Sequence, residues 1–251
     1  MEVHAHSHTP RKKWTHYLWE FLMLFLAVFC GFMAENQREH MIEHQREKKY
    51  IQNLIHDLTR DTTNFNLSFY IRLEREKQAY QLITMLTSPN KNKQLKDIYY
   101  FARLMSLLNI VFTPSNATMQ QLKNSGALRL IKDNKIADCI VAYDVAIEKY
   151  VSTQQAEINI RTEYRNDLGN VFDAGVLLSM IDTSANDFEK LISSPENSKP
   201  LITEDKQTIN HLCTLVHYIY SSSVLNRKTM LDLKEQAIRL IALLKKEYHL
   251  K

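Results

Sequence analysis

The stretch that decides the fold is residues 203–244, TEDKQTINHLCTLVHYIYSSSVLNRKTMLDLKEQAIRLIALL. Thr203 with Glu204 and Asp205 makes a helix start: a capping hydroxyl followed by acids that complement the helix dipole. From there Ile209, Leu212, Val216, Ile219, Ser223, Asn226, Met230, Leu233, Ala237, Leu240 and Leu244 recur in three- and four-residue steps. A seam that long on one helix implies bundle or coiled-coil packing. Only Ser223 and Asn226 interrupt it with polar groups. Such residues either line a ligand cavity or fix the register of neighbouring helices. Register is the favoured reading, since nothing else polar is evident beside them.

Working backwards, SSPENSKP at 193–200 is the best loop signal in the chain. Before it, Asp133 is placed to cap a helix carrying Ile136, Ile140, Tyr143, Ile147 and Tyr150, then Ile158, Tyr164, Leu168 and Phe172. Its end is expected between Gly175 and Asp182. A short helix is expected from Pro114 or Ser115 to a C-terminal cap at Gly126. Another spans about Gln94 to Val111, with Thr113-Pro114 as breaker. The region from Glu35 to about Thr87 has no Pro or Gly, and Ser88-Pro89-Asn90 stops it. Along it Ile51, Leu54, Ile55, Leu58, Phe65, Phe69, Tyr80, Ile83 and Leu86 form an apolar stripe. The expected fold is all-α: three long helices and two shorter ones in one antiparallel bundle over 35–251.

Ahead of the bundle stands WTHYLWEFLMLFLAVFCGFMA, residues 14–34. As a helix it is long enough to cross a ~30 Å hydrocarbon core. Trp14, Tyr17 and Trp19 supply an aromatic belt behind Arg11-Lys12-Lys13, and Phe21, Leu24, Phe25, Val28 and Phe32 supply apolar surface. The expectation is one transmembrane helix running on as a stalk into the first bundle helix, with 1–13 a short disordered cytoplasmic tail. A buried soluble helix is the rival, because the uncharged run Phe21–Ala34 is short for a span. A cleaved signal peptide fits less well, since Phe32 and Ala34 do not make a small-x-small cleavage site. The basic cluster favours the N-terminus inside and the main domain exported. Over a wider window that includes Arg46, Lys48 and Lys49 the bias vanishes.

Composition narrows the function classes. With 45% hydrophobic residues in 251, the chain can bury a sizeable core, while 4 Gly and 5 Pro argue against turn-rich β folds and Gly-rich phosphate loops. The formal charge of +4 is spread along the chain, so no nucleic-acid footprint is indicated. Cys139 and Cys213 are open to one disulfide if exported, or to two buried thiols; their places on long helices favour thiols.

Few residues suggest chemistry. His4, His6 and His8 alternate in the tail without a second cluster to complete a metal site. His40-Met41-Ile42-Glu43-His44 matches the H-x-x-E-H pattern of inverted zinc proteases, with both His on one helix face. It lies on a highly charged stretch without an evident distal ligand, so His40, Glu43 and His44 are weak metal candidates only. Glu20, near the end of the span, is expected to pair with Lys13, His16 or a neighbouring protomer, or to lie on an ion path. His211, Cys213 and His217 do not form a ligand set, because His211 and Cys213 are two apart on a helix. Asn66-Leu67-Ser68 and Asn116-Ala117-Thr118 match the glycosylation sequon, a pattern irrelevant if the protein is bacterial. No phosphate loop, nucleophile elbow or Cys-x-x-Cys pair is present.

Two stretches, EVHAHSHTPRKKWTHYLWEFLMLFLAVFCGFMAENQREH and ATMQQLKNSGALRLIKDNKI, carry a resemblance. The first resembles the opening of a family of single-pass membrane proteins of Bacteroidota, in which a His-bearing N-terminus precedes an LWEFLMxFLAVxxGFxAE-like span and a helical domain. The resemblance covers the first 50 or so residues and about 114–136. It implies a Gram-negative envelope, the inner (cytoplasmic) membrane and a periplasmic main domain, and brings no activity, cofactor or catalytic residue. The expected function is therefore non-enzymatic: a membrane-anchored helical bundle serving as an interaction, scaffold or sensor module. Membrane lipid and a protein partner or second copy are its expected partners. An accessory subunit of an ion-coupled channel or motor is the alternative, and a metal-dependent hydrolase at the H-x-x-E-H pattern comes third.

Overall fold

A computed structural model of the chain describes residues 14–107, 111–185 and 191–250. The polar tail with His4, His6 and His8 lies outside them. Six α-helices are present among the described residues: α1 (Trp14–Leu86), α2 (Leu95–Ser106), α3 (Ala117–Asn124), α4 (Asn134–Asp167), α5 (Ala174–Ser179) and α6 (Lys206–Glu247). The all-α expectation holds. The chain forms two compact units, Met1–Tyr50 and Ile51–Lys251.

Within Ile51–Lys251 the legs alternate in direction. As numbers rise along the second leg, from Leu104 through Ser115 to Thr118, its partners on α1 fall from Arg75 through Asp61 to Asp57. The same leg descends along α4, with Ala102 bonded to Tyr164, Ser106 to Arg165 and Phe112 to Gln154. That leg is composite: α2, an extended segment and α3 together do the work of one long helix. α4 then climbs and α6 descends, giving an antiparallel four-leg bundle with three continuous legs.

The local causes are legible residue by residue. Asp133 caps α4 by accepting from the Lys135 N–H at 2.8 Å, and Asp205 caps α6 by accepting from Thr208 at 2.8 Å. Thr203 stands two residues outside, accepting from the Asp205 N–H at 3.0 Å, so the cap is Asp205 and not the expected hydroxyl. Gly126 has φ +66°, a left-handed conformation that ends the α3 turn and that a side chain resists.

Three boundaries differ from expectation. The second helix ends at Ser106 rather than near Val111, with Leu107 already extended. α4 ends at Asp167 and not beyond Gly175, because the chain tightens into a 3-10 turn over Leu168–Asn170. Gly169 and Asn170 are poor helix formers, and the break lets Phe172 turn into the core against the edge of Tyr99, ring centroids 5.1 Å apart. Asp173 then caps the extra short helix α5 through the Val176 N–H at 3.0 Å. The short helix α3 opens at Ala117, not at Pro114 or Ser115.

The apolar core is divided. One cluster joins Leu82 and Leu86 of α1, Tyr99 of α2, Tyr164 of α4 and Leu212, Val216 and Ile219 of α6. The other joins Ile51, Leu54, Leu58 and Phe65 of α1, Ile136 to Tyr150 of α4, and Met230, Leu233, Ala237, Leu240 and Leu244 of α6. The expected α6 seam, Ile209 through Leu244, is buried throughout, Ser223 and Asn226 included. On α1 the stripe needs correction: Tyr80 is exposed, and Ala79 and Leu82 take the inward positions.

Candidate functional site

Between the two apolar clusters the seams of all three long helices turn polar. α1 contributes Arg72 and Glu76, α4 contributes Gln154, Glu157 and Arg161, and α6 contributes Ser223 and Asn226, all buried. Each set is spaced three or four residues apart and so shares one helix face. Ser223 and Asn226 are therefore not alone, as the sequence suggested.

Glu157 is the hub. One carboxylate oxygen accepts from Arg72 Nη1 at 2.7 Å and from Asn226 Nδ2 at 2.7 Å. The other accepts from Arg161 Nε at 3.0 Å and lies 2.9 Å from its Nη2. Asn226 is held in turn by the Thr153 hydroxyl, which donates to its Oδ1 at 2.9 Å. Burial pushes the Glu157 pKa up, but the Arg72 and Arg161 guanidiniums outweigh it and hold the carboxyl below its ordinary range. Glu76 forms a second node: Arg227 Nε donates to its two oxygens at 2.9 and 3.1 Å, and the Ser223 hydroxyl donates at 3.3 Å. The Arg227 guanidinium also lies 5.4 Å from the centre of the Phe69 ring, within cation–π range.

Arginines from the same region explain the early end of α2. A helix leaves its last carbonyls without internal partners. Arg75 Nη1 donates to Leu104 O at 3.2 Å, Arg161 Nη1 to Met105 O at 3.4 Å, and Arg165 Nε to Ser106 O at 2.9 Å. Positive charge at this end also complements the helix dipole. Just beyond, Gln154 clamps the backbone of Phe112 by accepting from its N–H at 2.8 Å and donating to its C=O at 3.0 Å. Phe112 can then stack on Phe65, centroids 4.2 Å apart. The layer ties four legs together, with Arg72 and Arg161 sharing Glu157, Arg227 on Glu76, and Arg75, Arg161, Arg165 and Gln154 holding the backbone of the second leg.

The predicted site residues are dispersed. Trp14, Tyr17, Trp19, Glu20, Phe21, Leu24, Phe25, Val28 and Phe32 are all exposed, and α1 is long and apolar enough here to cross a membrane. Glu20 lies 3.6 Å from His16 Nε2. His40 faces Glu43 at 3.8 Å, whereas His44 turns to Glu47 at 3.2 Å. Each histidine thus has its own carboxylate, and no group of three or more His, Cys, Asp or Glu suited to a metal ion occurs among the described residues. His211 instead bridges α6 to α4, 2.8 Å from Asp167. The cysteines are free: Cys213 is buried, which pushes its thiol up to about 11, while Cys139 is exposed. The expectation of two buried thiols therefore fails for Cys139.

Comparison with protein-family models, with curated proteins and with solved structures finds no match to this chain.

Proposed function

We propose that this chain is a non-enzymatic, membrane-anchored helical-bundle protein of a Gram-negative inner membrane. In this reading the N-terminus is cytoplasmic, and the unit beyond the span is periplasmic and acts as an envelope interaction, scaffold or sensor module. The observation that carries it is the apolar surface of 14–34, none of it buried against protein. Burial in lipid is the natural fate of so much contiguous apolar area on one helix. The resemblance of residues 2–40 to single-pass proteins of Bacteroidota supports the compartment. The buried ion pairs between long helices, Arg72 with Glu157 and Arg227 with Glu76, support a structural role for the bundle centre.

Three measurements test the reading. Cys139 is exposed and free, so a membrane-impermeant maleimide labels it in intact spheroplasts if the bundle is periplasmic. Labelling only after lysis would reverse the orientation. Purification of the full-length protein from native membranes in mild detergent, followed by mass spectrometry, then separates the roles. A stoichiometric envelope partner supports a scaffold or accessory role, and a self-associating chain supports a self-contained sensor. Extraction by alkaline carbonate without detergent would refute the anchor.

A further inference from the structure

Between α1, the segment at Pro114–Asn116 and α4 lies a cavity of about 20 Å³, with Asp57, Asp61, Ser115, Tyr143 and Asp144 in its walls. That volume suits one water-sized group. It adjoins a groove of about 320 Å³ along α3 and α4, and the two share Pro114, Asn116, Met119, Asp144 and Ile147. The small cavity is thus the end of a longer cleft at which Asp57, Asp61 and Tyr143 gather.

Its chemistry is unbalanced. Asp57 and Asp61 stand one turn apart on α1 and are 8% and 2% exposed. Each uses an oxygen to hold the neighbouring segment: Asp61 Oδ1 accepts from the Ser115 N–H at 2.9 Å, and Asp57 Oδ2 from the Thr118 N–H at 3.2 Å. These contacts serve the start of α3, whose own Asn116 makes no side-chain cap. Among the described residues neither aspartate forms an ion pair with a lysine or arginine; Asp57 has only His56, at 4.0 Å. Arg60 gives its Nε to the Ser115 hydroxyl at 2.6 Å, and Lys123 is engaged by Asp144 and Glu148. Burial raises the Asp61 pKa and the nearby Asp57 adds to it, although the Ser115 hydrogen bonds and the Arg60 charge pull the other way. Tyr143 supplies an independent sign. It is 7% exposed, and its enclosed hydroxyl has no hydrogen-bond partner. The negative charge it senses is that of Asp61. An enclosed hydroxyl without a partner is rare in a native protein unless something fills the space beside it.

We propose that this cavity is the head of a binding site for a small primary alkylammonium ion, its –NH3+ among Asp57, Asp61 and the Tyr143 oxygen and its alkyl chain along Pro114, Met119, Ile147 and Val151. An ammonium group matches a water in size, brings three donors to three acceptors, and neutralises charge that a water leaves in place. A quaternary ammonium is too large for the head, and an alcohol lacks the charge. The site lies wholly within Ile51–Lys251 and stands independently of the membrane assignment.

Calorimetric titration of the full-length protein in detergent with n-butylamine hydrochloride tests it, with n-butanol and tetramethylammonium chloride as comparators. Saturable one-to-one binding of butylammonium is expected, with neither comparator binding. Tyr143→Phe should weaken that binding about tenfold, the share of one hydrogen bond to a charged group. This variant removes a hydroxyl that makes no hydrogen bond, so its thermal unfolding without amine should be no lower than that of the parent. Asp61→Asn should abolish binding. Absence of saturable heat through the millimolar range, equal binding of n-butanol, or undiminished binding by Tyr143→Phe would overturn the proposal and leave a water pocket.

Discussion

Replacing Glu157 by Gln is the sharpest probe of the charge layer, because it changes one atom and keeps the volume. Glu157 is 5% exposed and receives Arg72, Arg161 and Asn226. A glutamine keeps one acceptor oxygen and presents an NH2 group where the second oxygen met a donor. At that position donor faces donor, and both arginines lose their carboxylate. Breaking a buried pair by removing one partner costs about 3–5 kcal/mol, and the hub position places this change in that range. For a bundle of this size the loss corresponds to roughly 6–20 °C in Tm. Circular dichroism at the helical band, with the full-length protein melted in detergent, reads it. The pH dependence supplies a second readout. The folded-state pKa of Glu157 lies below the ordinary value of 4.5, so its stabilisation is complete above that value. It is lost as pH falls through the lower folded pKa, where the native carboxylate must take up a proton. Glu157→Gln should lack that part of the acid-induced loss while being less stable at neutral pH. A cost under about 1 kcal/mol at pH 7, as an exposed ion pair would give, would refute the argument that Glu157 is a buried carboxylate held by both Arg72 and Arg161.

Other expectations follow from single positions. Gly126→Ala forces a side chain onto φ +66° and should cost about 1–2 kcal/mol. Gly169→Ala meets no atom within 4 Å and should be neutral or stabilising by up to about 1 kcal/mol; equal effects in denaturant titration would contradict the assigned conformation. Leu233, 1% exposed, should lose roughly 4 kcal/mol or more on becoming Asp, whereas Ile238→Asp at a half-exposed position of the same helix should stay within about 0.5 kcal/mol. Val28→Arg puts a charge mid-span and should cost about 2.5–3.5 kcal/mol of insertion, seen as a shift from the membrane pellet to the supernatant; unchanged fractionation would count against the span.

Most of the bundle was legible in its sequence because its signals are local. Asp133, Gly126 and Ser88-Pro89 punctuate elements through their own backbone preferences, and the α6 seam keeps one phase from Ile209 to Leu244. The charge layer escaped because apolar periodicity discards charged residues as surface. The phase was nonetheless there to follow. Beyond Phe65, seven- and then four-residue steps fall on Arg72 and Glu76 and reach Ala79 and Leu82, leaving Tyr80 outside. On α4 the same rule leads from Tyr150 through Gln154, Glu157 and Arg161 to Tyr164, whereas Ile158 lies off the fully buried row. The end of α2 was not legible at all, because the groups that satisfy its carbonyls, Arg75, Arg161 and Arg165, come from distant parts of the chain.

The place of the layer bears on what a bundle of this kind needs. Seams of near-regular three- and four-residue steps make the apolar halves of α1, α4 and α6 poor judges of register, since a slip of seven residues again sets apolar against apolar. Such a slip moves a helix by about 10 Å along its axis. It would carry Asn226 and Arg72 away from Glu157, and Arg227 away from Glu76, leaving charges buried and unpaired at several kcal/mol each. The cost falls on the misaligned states and spares the native one, where Glu157 meets Arg72, Arg161 and Asn226 and Glu76 meets Arg227. α2 and the segment carrying Phe112 bury apolar side chains such as Tyr99, Met105 and Phe112, but apolar contact alone does not single out one axial position. They take theirs from Arg161 and Gln154 on α4 and Arg75 on α1. A composite leg of short helix, extended segment and short helix can therefore stand in for a continuous one, because the polar middle of its neighbours tells it where to lie.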